Sequence, residues 1–106
     1  MKKIFSKLIV LSLILVPLLA GAYTSPGSPT GHVNDFAELI DAQQQQELEA
    51  KLKNYAENTG HEIAVVTIES LGDDETVETY AVKLFEEWKI GKEKEDNGLL
   101  LLVSEQ

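Results

Sequence analysis

The segment EDNGLLLLVSEQ, residues 95–106, decides how the rest of the chain is read. Asp96-Asn97-Gly98 has turn chemistry: Asp and Asn side chains bond nearby backbone, and Gly accepts a positive φ. It delivers the chain into Leu99 to Val103, an apolar run without polar alternation. Such a run suits a strand covered on both faces, as in a parallel sheet flanked by helices. An interior strand needs two neighbours, so the question is which segments supply them.

Working upstream, Glu62 to Ile68 (EIAVVTI) is a second strand of the same kind, rich in β-branched residues. Between the two lies the strongest amphipathic pattern in the chain. Val77, Tyr80, Ala81, Leu84, Phe85 and Trp88 recur at helical spacing, with Trp88 completing the core stripe. Leu71 to Glu75 leads in, its acids suiting the positive end of the helix. Gly91 ends the pattern, and Lys92 to Asp96 (KEKED) reads as a solvated loop. A strand–helix–strand unit implies a right-handed parallel crossover. Ahead of it, Asp41 is a helix N-cap with Gln44 as its capping-box partner. Leu48, Leu52, Tyr55 and Ala56 follow on one face, Gln43 to Gln46 are solvated, and Thr59-Gly60 is the stop. Gly31 to Ile40 carries Val33, Phe36, Leu39 and Ile40 and reads as an ordered lead-in that packs onto the domain.

The expected fold is therefore α/β: a small three-layer helix–sheet–helix domain with a right-handed parallel crossover, truncated after the second strand. The missing neighbour of Leu99–Val103 would come from continuation past Gln106, or from self-association through the last strand.

The amino end reads separately. Lys2, Lys3 and Lys7 precede an apolar core from Leu8 to Leu19, and Ala20-Gly21-Ala22 supplies small residues for cleavage. This is the tripartite pattern of a secretory signal, too short to span a bilayer. Residues 1–22 are expected to be a signal peptide cleaved after Ala22. Residues 23–30 (YTSPGSPT) form a linker, and residues 31–106 the domain, incomplete at its carboxyl end. Export through the Sec pathway would place the protein outside the cell, in a periplasm, or on the outer face of a membrane.

From residue 23 onward, six lysines face eighteen acids, a net charge of −12, and the chain has no arginine or cysteine. Phosphate backbones need clustered Lys and Arg, so nucleic acid is excluded as a partner. Without disulfides the core must hold the fold unaided.

The ordered set VND, TG-x-EIAVVT, W-x-IG and DNG-L-L-L-V, running from Gly31 to Val103, resembles the TPM domain family. That family includes YgcG-like envelope proteins of bacteria and a thylakoid-lumen protein of photosystem II repair. The resemblance implies one α/β domain with a small sheet between helices. It also implies an outgoing strand and further helix beyond the point where this sequence stops.

No nucleophile stands out in the sequence. His32 and His61 lack metal-ligand spacing, and Ser70 and Ser104 lack a G-x-S-x-G setting. Carboxylates are the candidates. Asp35 sits in an apolar segment, where a carboxylate is costly unless bonded. Asp35 and the Asp96-Asn97 pair match the recurring acidic positions of the family, and oxygen ligands suit calcium or another divalent cation. Asp73 is an alternative ligand, since the carboxyl ends of parallel strands usually hold the ligand crevice. The same rule puts Asp96 at the opposite edge, so one site holding both Asp35 and Asp96 does not follow from the topology. The expected function is a binding, assembly or repair accessory factor docking on a membrane or envelope protein. A metal-dependent acid phosphatase is the alternative, and a fragment without function the third reading.

Overall fold

A computed structural model describes residues 23–91 and 97–106. The expected signal peptide, the 92–96 loop and hence Asp96 lie outside the described residues. Glu62–Ile68 is the central strand, β2. It pairs in parallel with β1, Val33–Asp35, on one side and with β3, Gly98–Ser104, on the other. Helix α1, Ala42–Thr59, joins β1 to β2, and α2, Val77–Trp88, joins β2 to β3.

This arrangement corrects the expected two-stranded sheet truncated after its second strand. The lead-in segment is itself a strand, and the sheet has three strands in the order β1-β2-β3. The interior position belongs to β2, whose Val65, Val66, Thr67 and Ile68 are all buried. Leu99–Val103 lies at an edge instead, with Leu99 58 %, Leu101 54 % and Val103 40 % exposed. Its apolar run meets a helix on one face only.

The register assigns the faces. Val33, Val65 and Leu101 stand in one row; Asn34, Val66 and Leu102 stand in the next and point the other way. Helix α1 lies on the Val33 face, where Glu49 accepts from the His32 and Val33 amides at 3.0 and 2.9 Å. Helix α2 lies on the Val66 face, where Val66, Ile68, Tyr80 and Leu84 form the buried core, with Phe36, Trp88, Leu100 and Leu102 packed around it. The two helices do not touch among the described residues. The three-layer order therefore holds. The two crossovers advance the sheet in the same direction from opposite faces and so have opposite hands. One of the two is left-handed, the uncommon hand.

Local chemistry sets the helix ends. Asp41 caps α1 by accepting the Gln44 amide at 2.8 Å, and Gly60 closes it at φ 78° with its N–H on the Ala56 carbonyl. Thr76 and Thr79 form a reciprocal capping box at the start of α2. Lys89, not Gly91, takes the left-handed position that ends α2.

The segment read as a linker is a strap across α2. Glu87 accepts from Tyr23 Oη at 2.8 Å and Ser25 Oγ at 2.7 Å. Tyr80 Oη donates to the Thr24 carbonyl at 3.0 Å, and Trp88 Nε1 to the Gly27 carbonyl at 2.8 Å. The rings of Tyr23 and Tyr80 meet edge-on at 5.0 Å. Burial and the Glu87 carboxylate both push the Tyr23 phenol above its ordinary pKa. Two prolines lower the entropy lost when the strap docks. Glu87→Ala is expected to free Tyr23 and Ser25 together at a cost of about 1 kcal/mol, small because the bonds are exposed. Hydrogen exchange should rise across residues 23–30 while the β2 amides stay protected.

Candidate functional site

Opposite helix faces create a crevice. The chain leaves β1 toward the α1 face and leaves β2 toward the α2 face. Adjacent parallel strands whose exits diverge leave an opening between their carboxyl ends, the usual place for ligands in α/β sheets. Here that opening is a cleft of about 490 Å³. Phe36, Ile68, Leu71 and Tyr80 form its apolar wall. Ser70 and Glu69 stand on one rim and Thr24, Ser25 and Pro26 of the strap on the other. Gly72, at φ 97°, turns the loop that closes this end.

Asp35 stands beside the opening, on the α1 side. Its Oδ1 accepts from Thr67 Oγ1 at 2.6 Å and the Leu39 amide at 2.9 Å; its Oδ2 accepts from the Ile40 amide at 2.9 Å. Thr67 Oγ1 in turn accepts from the Ala37 amide at 3.1 Å. Three of roughly four acceptor positions are thus filled. Burial raises the carboxyl pKa, but the bonds from Thr67, Leu39 and Ile40 outweigh it and hold the group below the ordinary carboxylate range. The geometry makes Asp35 the anchor of the turn that carries the chain from β1 to α1.

Asn97 lies at the other end of the sheet. Its Nδ2 donates to the Gly60 carbonyl at 2.6 Å, and its own carbonyl accepts the Glu62 amide at 2.8 Å. Glu62 Oε2 accepts the Gly91 amide at 2.7 Å. Gly91 and Gly98 abut backbone to backbone. A Cβ on Gly98 would lie 2.6 Å from the Ile90 carbonyl oxygen, and one on Gly91 would lie 2.6 Å from the Gly98 nitrogen. The residues Gly60, Glu62, Gly91, Asn97 and Gly98, drawn from three separate sequence motifs, form one knot at the amino edge of the sheet.

Asp35 and Asn97 are therefore separated by the length of β2, about 20 Å for a seven-residue strand, and cannot share an ion. Asp73 is exposed in the β2–α2 turn. Among the described residues no three His, Cys, Asp or Glu converge to hold a metal. The expected ligand set of Asp35, Asn97 and Asp73 does not fit one divalent cation, and Asp96 lies outside the described residues. His61 is exposed and stacks on Tyr55, with ring centroids 6.4 Å apart. The sequence reading missed Thr67, the buried partner of Asp35. Its signal was a lone hydroxyl inside the apolar run EIAVVTI. It also missed Asn34, which is fully buried and bonded to Thr30, Gly31 and Val65.

No helix of the described residues is long and apolar enough to cross a membrane. No characterised protein matches the chain as a whole.

Two substitutions separate the two edges. Asp35→Asn replaces an acceptor with a donor facing amide N–H groups and is expected to cost about 1 kcal/mol at neutral pH, after discounting for exposure. Because the folded carboxyl has the lower pKa, this stabilisation is complete above the ordinary value near about 4 and is lost as pH falls through the folded value. Urea unfolding of both proteins should thus converge in acid. Gly98→Ala forces a Cβ into backbone and is expected to cost about 1–3 kcal/mol or more, independent of pH.

The match to the TPM domain family covers residues 33–106, from the first residue of β1 through β3, and the chain belongs to that family.

Proposed function

We propose that this TPM-family domain is an exported binding or assembly accessory factor that docks on a membrane or envelope protein. The observation that carries the reading is the division of labour at the crevice. Asp35, the carboxylate beside it, is engaged in holding the turn after β1. The opening beside it is lined by apolar and hydroxyl side chains and by a single carboxylate, Glu69, rather than by converging acids or cations. Such a cleft suits an extended segment of a protein partner, with apolar side chains entering and backbone groups meeting Ser70 and the strap. The basic start, short apolar core and A-G-A site support export through the Sec pathway. The strongly acidic surface favours a partner with basic residues beside its docking segment.

A hydrolytic reading has one observation in its favour. Asp35 lies where α/β enzymes place their ligands, within a family also named for phosphatase activity. Divalent-cation binding, calcium foremost, belongs to that reading.

Two experiments decide between them. A phosphate-ester assay with and without calcium or magnesium should give no turnover above buffer; metal-dependent turnover abolished by Asp35→Asn would establish the hydrolase instead. A photo-reactive residue at Ser70 should cross-link to a membrane protein in the producing cell, and one at Lys51 on α1 should not. Equal labelling from both positions would count against docking at the crevice.

A further inference from the structure

We propose that the surface of α2 beneath the strap is a peptide-recognition groove, with residues 23–30 as its built-in occupant. Displacing them admits an extended segment of another protein, one carrying an aromatic residue and a proline three positions later. The groove shares Tyr80 with the crevice but is a separate surface, and the proposal does not depend on docking at the crevice.

The strap is held as a ligand is held. Among the described residues it makes no backbone–backbone hydrogen bond. Side chains of α2 recognise it instead. Tyr80 Oη meets the Thr24 carbonyl at 3.0 Å and Trp88 Nε1 meets the Gly27 carbonyl at 2.8 Å, contacts that follow the backbone path of the occupant rather than its sequence. Sequence is sensed elsewhere. Tyr23 and Pro26 are half-buried, whereas the other six residues of the strap are exposed. The Tyr23 ring packs on Tyr80 and the core, and its hydroxyl and that of Ser25 both donate to Glu87.

Spacing identifies the mode of recognition. The two carbonyls, of Thr24 and Gly27, are three residues apart, and so are the two anchors, Tyr23 and Pro26. Three residues is the period of a polyproline II segment, in which every third residue faces the same side. Proline fixes its own φ and keeps the residue before it extended, so Ser25-Pro26 is set in that shape before it docks. Gly27, at φ 110°, ends the run. Aromatic-lined grooves take such segments in other proteins. Here Tyr80 and Trp88 supply both ring surface and ring donors, and Phe36 braces Trp88 edge-on with centroids 6.3 Å apart.

The junction with β1 favours a foreign segment over the strap of a second copy. The Thr30 amide and hydroxyl donate to Asn34 Oδ1 at 2.6 and 3.0 Å, and Asn34 is fully buried. Residues 23–29 can lift away with those bonds intact. A second copy's strap seated the same way would bring its own Thr30 to a position that is already filled. It would also draw two like-charged chains together, since from residue 23 onward six lysines face eighteen acids.

The probe is a fluorescently labelled peptide of the strap sequence, YTSPGSPT, titrated by anisotropy into the intact protein. Tyr23→Ala with Ser25→Ala opens the strap and should tighten peptide binding about tenfold, because a competitor within the chain is removed. Pro26→Gly with Pro29→Gly loosens the strap but keeps the bonds of Tyr23 and Ser25, and should tighten it about fivefold. Trp88 is the sole tryptophan of the chain, so its emission should shift to the red in the opened protein and return when peptide binds. In the opened protein Glu87→Ala should weaken the peptide about fivefold, and so should alanine in place of the peptide's tyrosine. A peptide that binds neither opened variant would overturn the proposal. So would equal binding to the native and opened proteins, or binding indifferent to Glu87→Ala. A protein that dimerises with concentration in sedimentation, and ceases to when Tyr23 and Ser25 are replaced, would assign the groove to a second copy's strap and refute the foreign segment.

Discussion

The fold depends on β2 being hydrogen-bonded in parallel along both of its edges. A parallel neighbour cannot be reached by a tight turn, so each junction needs a crossover, and each crossover is a helix. Val65 and Thr67 point to one face and Val66 and Ile68 to the other. Both faces therefore need cover, and α1 and α2 each supply one. Because the helices sit on opposite faces while the strand order runs straight through, the exits from β1 and β2 diverge. The crevice is the geometric result of that divergence, not a separate feature added to the fold.

The same constraint explains how far the sequence could be read. Helical periodicity identified α1 and α2, short apolar runs identified β2 and β3, and the caps at Asp41 and Gly60 follow from local chemistry alone. β1 escaped because three residues cannot show a period, and Asn34 and Asp35 are not residues that mark a strand. The structure shows how Asn34 fits a strand interior. Asn34 Oδ1 accepts from the Thr30 amide at 2.6 Å, and Nδ2 donates to the Gly31 and Val65 carbonyls. Burying an amide is tolerable when its donors and acceptor are all met. With β1 unrecognised, the sheet reads as two strands, and Leu99–Val103 as an interior strand lacking a neighbour. Apolar residues on both faces of Leu99–Val103 were real, but apolarity does not say whether a strand is interior or an edge awaiting cover.

The candidate site shows a similar limit. Asp35 stands out as a carboxylate within an apolar segment, and Asn97 because the Asp96-Asn97 pair matches acidic positions of the family. Here each serves backbone. Asp35 ties the turn after β1, and Asn97 ties the end of α1 to the start of β3. Gly91 and Gly98 belong to the same account, since their backbones approach too closely for any side chain. Recurrent residues at both edges can thus arise from the demands of one sheet geometry. What distinguishes the edges is size: the amino edge holds its knot beside a cleft of about 270 Å³, whereas the carboxyl edge keeps one of about 490 Å³ beside Asp35.

The acidic balance acquires a structural meaning on these terms. With no arginine and six lysines from residue 23 onward, most carboxylates cannot find a cation. Among the described residues there is a single ion pair, Lys83 with Glu75 at 2.5 Å. Several other acids accept from neutral donors: Asp35 and Asp41 from amides at turns, Glu49 from the approach to β1, Glu62 from Gly91, and Glu87 from two hydroxyls of the strap. Bonds to an ionised acceptor are stronger than neutral ones and, unlike exposed ion pairs, gain little from distant charges that salt would screen. A chain built this way couples its turns, its sheet junctions and its strap to ionised carboxylates rather than to matched opposite charges. Its lysines are left largely for the surface, and so is most of its negative field, which stays directed outward at whatever docks there.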